Sequence, residues 1–232
     1  GSEPNDLAKA AELAQQWGYD EIDLNCGCPS ERVQRGAFGA CLMAEPNLVA
    51  ECVKAMKGAV DIPISVKHRL GLDSMDAENS EQDYQFALNF ILVVADAGAS
   101  QVTIHARNAV LKGLSPKENR SKPPLRYGVA AKLRLDAKKQ FPNLKVLLNG
   151  GLESNDQIAG HWDDFDGFMI GRAAYHFPAM LLGWDDLINT DGDAAGYLFG
   201  ETEWHRIQIA LVKQVHAWFD ECKAKGKPFY IG

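Results

Sequence analysis

A thiol in a tight turn is the first group in this chain that could do chemistry. Asn25-Cys26-Gly27-Cys28-Pro29-Ser30 follows directly on the alternating stretch Tyr19-Asp20-Glu21-Ile22-Asp23-Leu24. An alternating run that stops at Gly and Pro reads as a strand ending in a short loop. Cys28 at such a tip could be a nucleophile, a proton donor or a buried apolar residue. A Gly-Cys-Pro turn is a poor place to bury a side chain, whereas Cys41 and Cys52 lie in helical patterns that suit burial. Asn149-Gly150-Gly151 and Gly171-Arg172 end two further apolar runs. Glycine lets backbone N–H groups approach an anion, and Arg172 adds a guanidinium, so the pair suits a phosphate. The alternative is two tight turns that need Gly for conformation alone. Lys67 and His105 also follow mostly apolar runs. They could stabilise negative charge on a bound ring, or be a rim lysine and a hydrogen-bonded loop histidine.

These residues need elements to position them. Asp6 to Trp17 reads as a helix with Leu7, Ala10, Ala11 and Ala14 on one face. Pro46 to Val60 carries Leu48, Val49, Cys52, Val53 and Met56 at helical spacing, and Ile62-Pro63-Ile64-Ser65-Val66-Lys67 reads as a strand. A helix from Asp83 to Ala97 stops at Gly98, and Gln101-Val102-Thr103-Ile104-His105 is the next strand. Val129 to Gln140 is helical and Lys145-Val146-Leu147-Leu148-Asn149 is a strand. Ser154 to Gly160 is a short helix, and Gly167-Phe168-Met169-Ile170 is the last strand.

Strands alternating with helices imply parallel pairing through right-handed crossovers. An open doubly wound sheet and a TIM (β/α)8 barrel both satisfy that pattern. Cys28, Lys67, His105, Asn149 and Arg172 each fall at or just past the C-terminal end of a different strand. In a barrel those ends converge on one face, so the expected fold is an α/β TIM barrel. A whole barrel takes about 250 residues and eight strands. Strands 4–8 are therefore expected here, with the first three before Gly1. Such a piece alone would be unstable or inactive, because its sheet edges are unpaired. Residues 1–189 are assigned to this partial barrel. Thr190-Asp191-Gly192-Asp193-Ala194-Ala195-Gly196 reads as a linker, and Trp204, Ile207, Ala210, Leu211, Val215 and Trp218 as an amphipathic helix. Residues 190–232 are thus a linker and the beginning of a separate helical domain.

The chain has 232 residues and a net charge of −7, enough for one sizeable core. No uninterrupted apolar run of about 18 residues exists, so no membrane span is expected. No secretory leader is recognisable, and the opening without Met reads as a trimmed or partial chain. Five cysteines at irregular spacing point to a reducing compartment and so to the cytoplasm. Cys26 and Cys28 lack a second Cys/His pair, so no metal is expected. The acidic run Asp73, Asp76, Glu78, Glu81 and Asp83 lacks a Gly-centred calcium pattern and reads as solvated loop. Between residues 101 and 139, ten Lys and Arg side chains outnumber Glu118 and Asp136. A local basic surface of this kind can bind nucleic-acid phosphates despite the acidic total. For Lys132 to Lys139, a solvated helix face is explanation enough.

The motifs together resemble those of the tRNA-dihydrouridine synthases. Asn25-Cys26-Gly27-Cys28-Pro29-Ser30, Gly39-Ala40-Cys41-Leu42-Met43, Val66-Lys67-His68-Arg69, Ile104-His105-Ala106-Arg107, Asn149-Gly150-Gly151 and Gly171-Arg172 match in order. Gly113-Leu114-Ser115-Pro116-Lys117-Glu118-Asn119-Arg120 with Pro123-Pro124-Leu125 is similar to the A subfamily, which acts on U20 and U20a of the D-loop. The resemblance covers residues 1 to 185. It implies a flavin-containing TIM barrel followed by a small helical domain that contacts tRNA. It further implies hydride transfer from NADPH to FMN and on to uracil C6, with Cys28 as general acid at C5. By the same resemblance Lys67 and His105 contact the FMN ring, and Asn149, Gly150, Gly151, Gly171 and Arg172 hold its phosphate and ribityl tail. Asn25 would lie beside flavin and flipped base, and Arg32, Lys117, Arg120 and Tyr127 would contact tRNA. The complete protein is expected to be a monomer.

Three departures accompany the resemblance. The family's N-terminal strands and most of its helical domain are absent, and the loop after the Lys67 strand is longer than usual. Cys26 replaces an aliphatic residue and reads as neutral packing. Two other functions compete: a flavin barrel that reduces or oxidises a free pyrimidine, and a non-catalytic RNA-binding protein on a retained barrel. The Lys117 to Arg120 segment argues against the first, and the intact set of strand-end residues against the second.

Overall fold

The computed structural model describes residues 1–30, 36, 38–73 and 80–182. The 190–232 linker and helix, Arg32, Asp76 and Glu78 lie outside the described residues. The chain divides into two units, one of residues 1–153 and 160–172, the other of 154–159 and 173–232.

In the first unit, five strands form one parallel sheet: β1 (Ile22–Cys26), β2 (Ile64–Arg69), β3 (Gln101–His105), β4 (Lys145–Asn149) and β5 (Gly167–Met169). Their order in space is β1-β2-β3-β4-β5, the order of the sequence. A doubly wound sheet reverses its order at a switch point. This sheet never reverses, so the winding is that of a (β/α)8 barrel, of which the described residues supply part. Helices α1 (Pro4–Gln16), α2 (Pro46–Ala59), α3 (Ser80–Asp96) and α4 (Tyr127–Gln140) follow the same order. Each packs on the next, α1 on α2, α2 on α3 and α3 on α4. Both α1 and α2 begin on a proline. The ring's preset φ suits a first helical turn, and its missing N–H would have had no partner there.

Strand register divides the sheet into two unlike faces. Leu24 aligns with Val66, Val102 and Val146, and Cys26 with His68, Ile104 and Leu148. All of these are buried. This face meets the helices: the His68 ring lies 5.2 Å from that of Phe90 in α3. Val49, Val53 and Met56 of α2 and Ala87, Phe90, Ile91 and Val94 of α3 complete the core. Burying one such large side chain contributes about 1.5–3 kcal/mol. The opposite face, the lumen side of a barrel, is polar. It carries Asp23 and Asn25 from β1, Ser65, Lys67 and Arg69 from β2, Thr103 and His105 from β3, and Asn149 from β4. Barrel lumens are ordinarily filled with branched apolar residues, so this polarity marks a site.

Two expectations change. The second strand does not end at Lys67 but runs on to Arg69, which pairs in register with His105. Lys67 is therefore inside the lumen face and Arg69 occupies the rim. Asp83 is not a solvated loop residue: it is 7 % exposed and its Oδ2 accepts from Arg126 Nη2 at 3.0 Å and Asn108 Nδ2 at 2.7 Å. The loop's Asp73 accepts from the Leu111 amide at 2.7 Å.

In the second unit, α5 (Asn155–Ala159) buries Ile158, and Asn155 Nδ2 donates to the Met180 carbonyl at 3.2 Å. Helix α6 spans Arg172–His176, opening on the final residue of the first unit.

Candidate active site

The turn carrying Cys28 is built by its neighbours. Asn25 Oδ1 accepts the Gly27 amide at 2.9 Å, which bends the chain as soon as β1 ends. Arg69 Nε donates to the Gly27 carbonyl at 3.2 Å, and the Ala40 amide donates to the Cys28 carbonyl at 2.9 Å. The half-buried Cys28 thiol lies 3.5 Å from Ser30 Oγ. Cys26 points to the helix side, where burial pushes its thiol well up from the ordinary value. Cys52 is likewise buried, and Cys41 is half-buried in a 3-10 turn. Of these thiols, Cys28 is the one presented beside the lumen's rim.

Lys67 and His105 share the polar face. Burial pushes the Lys67 ammonium down to about 8, with Arg69 adding to the effect while Asp23 and Cys28 oppose it. His105 is 9 % exposed, and its Nδ1 has no partner among the described residues. Burial, then Arg69, Lys67, Arg107 and Arg172, push it down to about 2, so the ring is neutral. A neutral imidazole among several cations leaves a field that favours an anionic ligand.

The β4 and β5 ends lie side by side. Asn149 Nδ2 donates to the Met169 carbonyl at 2.7 Å, tying the two strand ends together. Gly150 and Gly151 both have positive φ, 105° and 67°. A Cβ on Gly150 would stand 3.0 Å from His105 Cε1, and one on Gly151 would stand 2.6 Å from Leu125 Cδ1. Around Gly171 there is open space, and Arg172 Nη2 reaches the Arg120 carbonyl at 3.5 Å. A flat ring against Lys67 and His105, with a phosphate at the glycine turn and Arg172, fits this set. The unpartnered His105 Nδ1 would offer such a ring one contact, while the Cβ positions at Gly150 and Gly151 are closed by His105 and Leu125, which is why the turn takes glycine.

The Lys117–Arg120 segment is hydrogen-bonded on several sides despite its exposure. Ser115 and Glu118 form a reciprocal cap, with the Ser115 amide donating to Glu118 Oε2 at 2.9 Å and the Glu118 amide to Ser115 Oγ at 3.2 Å. Asn119 is fully buried. Its Oδ1 accepts the Val110 amide and its Nδ2 donates to the Val110 carbonyl, both at 2.8 Å. Arg69 Nη1 donates to the Asn119 carbonyl at 3.0 Å and to that of Asn108 at 3.3 Å. An open recess of about 720 Å³ lies between Pro29 and the 111–116 loop.

The basic stretch is smaller than its count suggests. Arg107 is buried and donates to the Pro123 carbonyl. Lys122 pairs with Glu118, Arg126 with Asp83, Arg134 and Lys138 with Asp166, and Lys139 with Asp136. Lys132 covers the Tyr84 ring, 4.0 Å from its centre. Lys112, Lys117 and Arg120 remain exposed without an acidic partner among the described residues. Tyr127 is half-buried and its hydroxyl donates to the Gly150 carbonyl at 2.7 Å.

The structure thus gathers Asn25, Cys28, Lys67, His105, Asn149 and Gly150–Gly151 at one end of one sheet face. It sets Lys117, Arg120 and Arg172 around that end. Sequence reasoning missed Arg69, Asn119 and Arg107 as site residues. For Arg69 a signal existed, since it shares parity with Ser65 and Lys67. For Asn119 none did, because its role is to satisfy backbone groups of a loop. Among the described residues no cluster of His, Cys, Asp or Glu could hold a metal ion, and no helix is long and apolar enough to cross a membrane.

The described residues thus form part of a parallel α/β barrel with a thiol, buried cations and a glycine turn at its strand ends. A family model described as dihydrouridine synthase matches residues 1–210. The chain belongs to the dihydrouridine synthase family. It is 46% identical over 233 residues to a tRNA-dihydrouridine(20/20a) synthase of Vibrio parahaemolyticus, covering 100% of this chain and 65% of that one. It is 54% identical over 189 residues to the protein so named in Xanthomonas axonopodis pv. citri, covering 82% and 54%. With that of Synechocystis it shares 52% over 181 residues, covering 78% and 51%. The chain spans between half and two thirds of the length of these curated relatives.

Proposed function

We propose that the protein carrying this chain reduces uridine to 5,6-dihydrouridine in the D-loop of tRNA, at U20 and U20a. FMN is the cofactor, NADPH the reductant, and the enzyme acts as a cytoplasmic monomer. Residues 1–189 are its flavin-binding barrel portion, and 190–232 begin the helical domain that adds tRNA contacts. The observation that carries this reading is the placement of the Cys28 turn beside both the lumen cations and the exposed Lys117–Arg120 loop. A small-molecule site has no use for such a loop; an RNA substrate does.

When bound, FMN supplies the hydride that adds to uracil C6. Negative charge then develops at C5 and on the C4 carbonyl, and a positioned acid is needed at C5. Cys28 Sγ gives its proton there, and the thiolate regains one from solvent. Asn25 orients the uracil, which must leave the tRNA stack to reach the strand ends. Lys67 would hold positive charge beside the flavin ring, and neutral His105 would offer it a free nitrogen. Asn149, Gly150, Gly151, Gly171 and Arg172 hold the phosphate and ribityl tail. Lys117, Arg120 and Arg32 grip the tRNA backbone.

The test is mass spectrometry of unmodified tRNA after incubation with the whole protein, FMN and NADPH. The expected product carries one added pair of hydrogens for each uridine reduced, all within the D-loop. A Cys28→Ala variant should lose tRNA reduction by about 10²–10⁴-fold while NADPH still reduces its flavin. Unchanged tRNA, with NADPH oxidised on addition of free uracil or orotate, would move the assignment to free pyrimidines.

A further inference from the structure

The Gly150–Gly151 turn is held from two sides. His105 packs against it on one, and on the other Tyr127, the first residue of α4, donates its hydroxyl to the Gly150 carbonyl at 2.7 Å. That hydroxyl would also stand 3.1 Å from a Cβ on Gly151. The segment leading to Tyr127 is itself anchored. The Arg126 amide donates to the Ala106 carbonyl and the Ala106 amide to the Asn149 carbonyl, each at 2.9 Å, while Arg107 Nη1 donates to the Pro123 carbonyl. Tyr127 is thus fastened to the ends of both β3 and β4 before its ring begins. Its ring lies edge-on to His161, 4.8 Å between centres.

A peptide plane is rigid, and a carbonyl and the next residue's N–H lie in it pointing in opposite directions. Pinning the Gly150 carbonyl therefore sets the direction of the Gly151 N–H. Two consecutive glycines would otherwise leave that plane free to rotate. The Gly151 N–H finds no acceptor among the described residues. We infer that Tyr127 is a positioning residue for the cofactor's phosphate: its hydroxyl locks the Gly150–Gly151 peptide so that the Gly151 N–H faces the anion. This rests on the reading that the glycine turn holds the FMN phosphate. It gives Tyr127 a role at the flavin, whereas resemblance alone assigns it to tRNA.

The test compares FMN with riboflavin, which lacks the phosphate, on the whole protein stripped of flavin. Dissociation constants come from flavin fluorescence for wild type and Tyr127→Phe. The Phe variant keeps the ring against His161 and removes the hydroxyl alone. The expected result is a loss of about tenfold in FMN affinity, the worth of one hydrogen bond, with riboflavin affinity unchanged. Equal losses for both flavins would mean a merely structural role and overturn the inference, as would no loss for either. A wild-type protein that binds FMN no better than riboflavin would overturn the phosphate reading itself, and the inference with it. That outcome is visible before any variant is made.

Discussion

Arg69 Nε donates to the Gly27 carbonyl at 3.2 Å, so a side chain from the end of β2 holds the turn that presents Cys28. The same guanidinium reaches the Asn119 carbonyl at 3.0 Å, between Lys117 and Arg120. One buried cation thereby joins the Cys28 turn to the loop proposed to orient tRNA.

Replacing Arg69 with Met leaves the carbonyls of Gly27, Asn108 and Asn119 without their donor. Each such buried group costs about 1–3 kcal/mol, so destabilisation of at least about 3 kcal/mol is expected in denaturant titration. Arg69 also helps burial to hold Lys67 down at about 8. In the Met variant the Lys67 ammonium should titrate higher, as read by NMR of labelled lysine. An unmoved Lys67 titration would show that the charge of Arg69 does not reach it.

Asn119→Ala removes the side chain that satisfies Val110 on both its amide and its carbonyl. Stability should fall by about 2–3 kcal/mol, the cost of stranding those groups. Limited proteolysis should open the 110–120 loop. With tRNA, KM should rise several-fold while reduction of flavin by NADPH keeps its rate. Equal damage to both half-reactions would contradict a role confined to the RNA-facing loop.

Gly150→Ala and Gly171→Ala should separate strain from ligand contact. At Gly150, φ is 105° and a Cβ meets His105 at 3.0 Å. This variant should lose about 1–3 kcal/mol of stability and its flavin as well. A Cβ added at Gly171 would meet no atom within 4 Å, so its Ala variant should melt as wild type does. If the phosphate lies there, flavin affinity still falls. Retained flavin affinity in Gly171→Ala would place the phosphate elsewhere.

Acid should destabilise the fold in two windows. His68 is fully buried; its Nδ1 donates to the Arg69 carbonyl at 2.7 Å, and its Nε2 has no partner among the described residues. Burial pushes it from the ordinary 6.5 down to about 4. Between those values the unfolded chain binds the proton and the folded one does not. Stability is therefore unaffected by this group above pH 6.5 and is lost as pH falls through the window to about 4, by about 3 kcal/mol. His105, pushed down to about 2, adds a loss that begins in the same window and runs on below it. Asp166 acts lower: burial raises its carboxyl, but hydrogen bonds from Arg134, Lys138 and the Val146 amide outweigh that and hold it at about 2. Its contribution is present above 3.8 and disappears as pH falls from there to about 2. His68→Leu should shrink the loss in the upper window in pH-dependent thermal unfolding, leaving the share of His105, and leave the lower window unchanged. An unaltered upper window would assign that loss to His105 alone.

Much of the scaffold was legible in the residues. The β3 and β4 spans, Gln101–His105 and Lys145–Asn149, match their sequence readings because each is a short, mostly apolar run bounded by turn residues. The second strand was misplaced because Lys67-His68-Arg69 looks like a polar stop. Pairing with β3 carries it on, and the buried face accepts His68 against Phe90. The basic stretch misled for a related reason. Charge is counted in sequence, but partners such as Asp83 and Asp166 come from distant positions.

The sequence by itself determined the alternation of strands and helices and the strand-end positions of Cys28, His105, Asn149 and the glycine turns. These follow from local period and turn chemistry, which act over a few residues. Tertiary structure decided that the sheet winds in one direction, that Arg69 rather than Lys67 stands at the rim, and that Tyr127 grips Gly150. It also left Lys112, Lys117 and Arg120 exposed without an acidic partner among the described residues. Those outcomes depend on register, burial and pairing between residues far apart in the chain, where no local propensity operates.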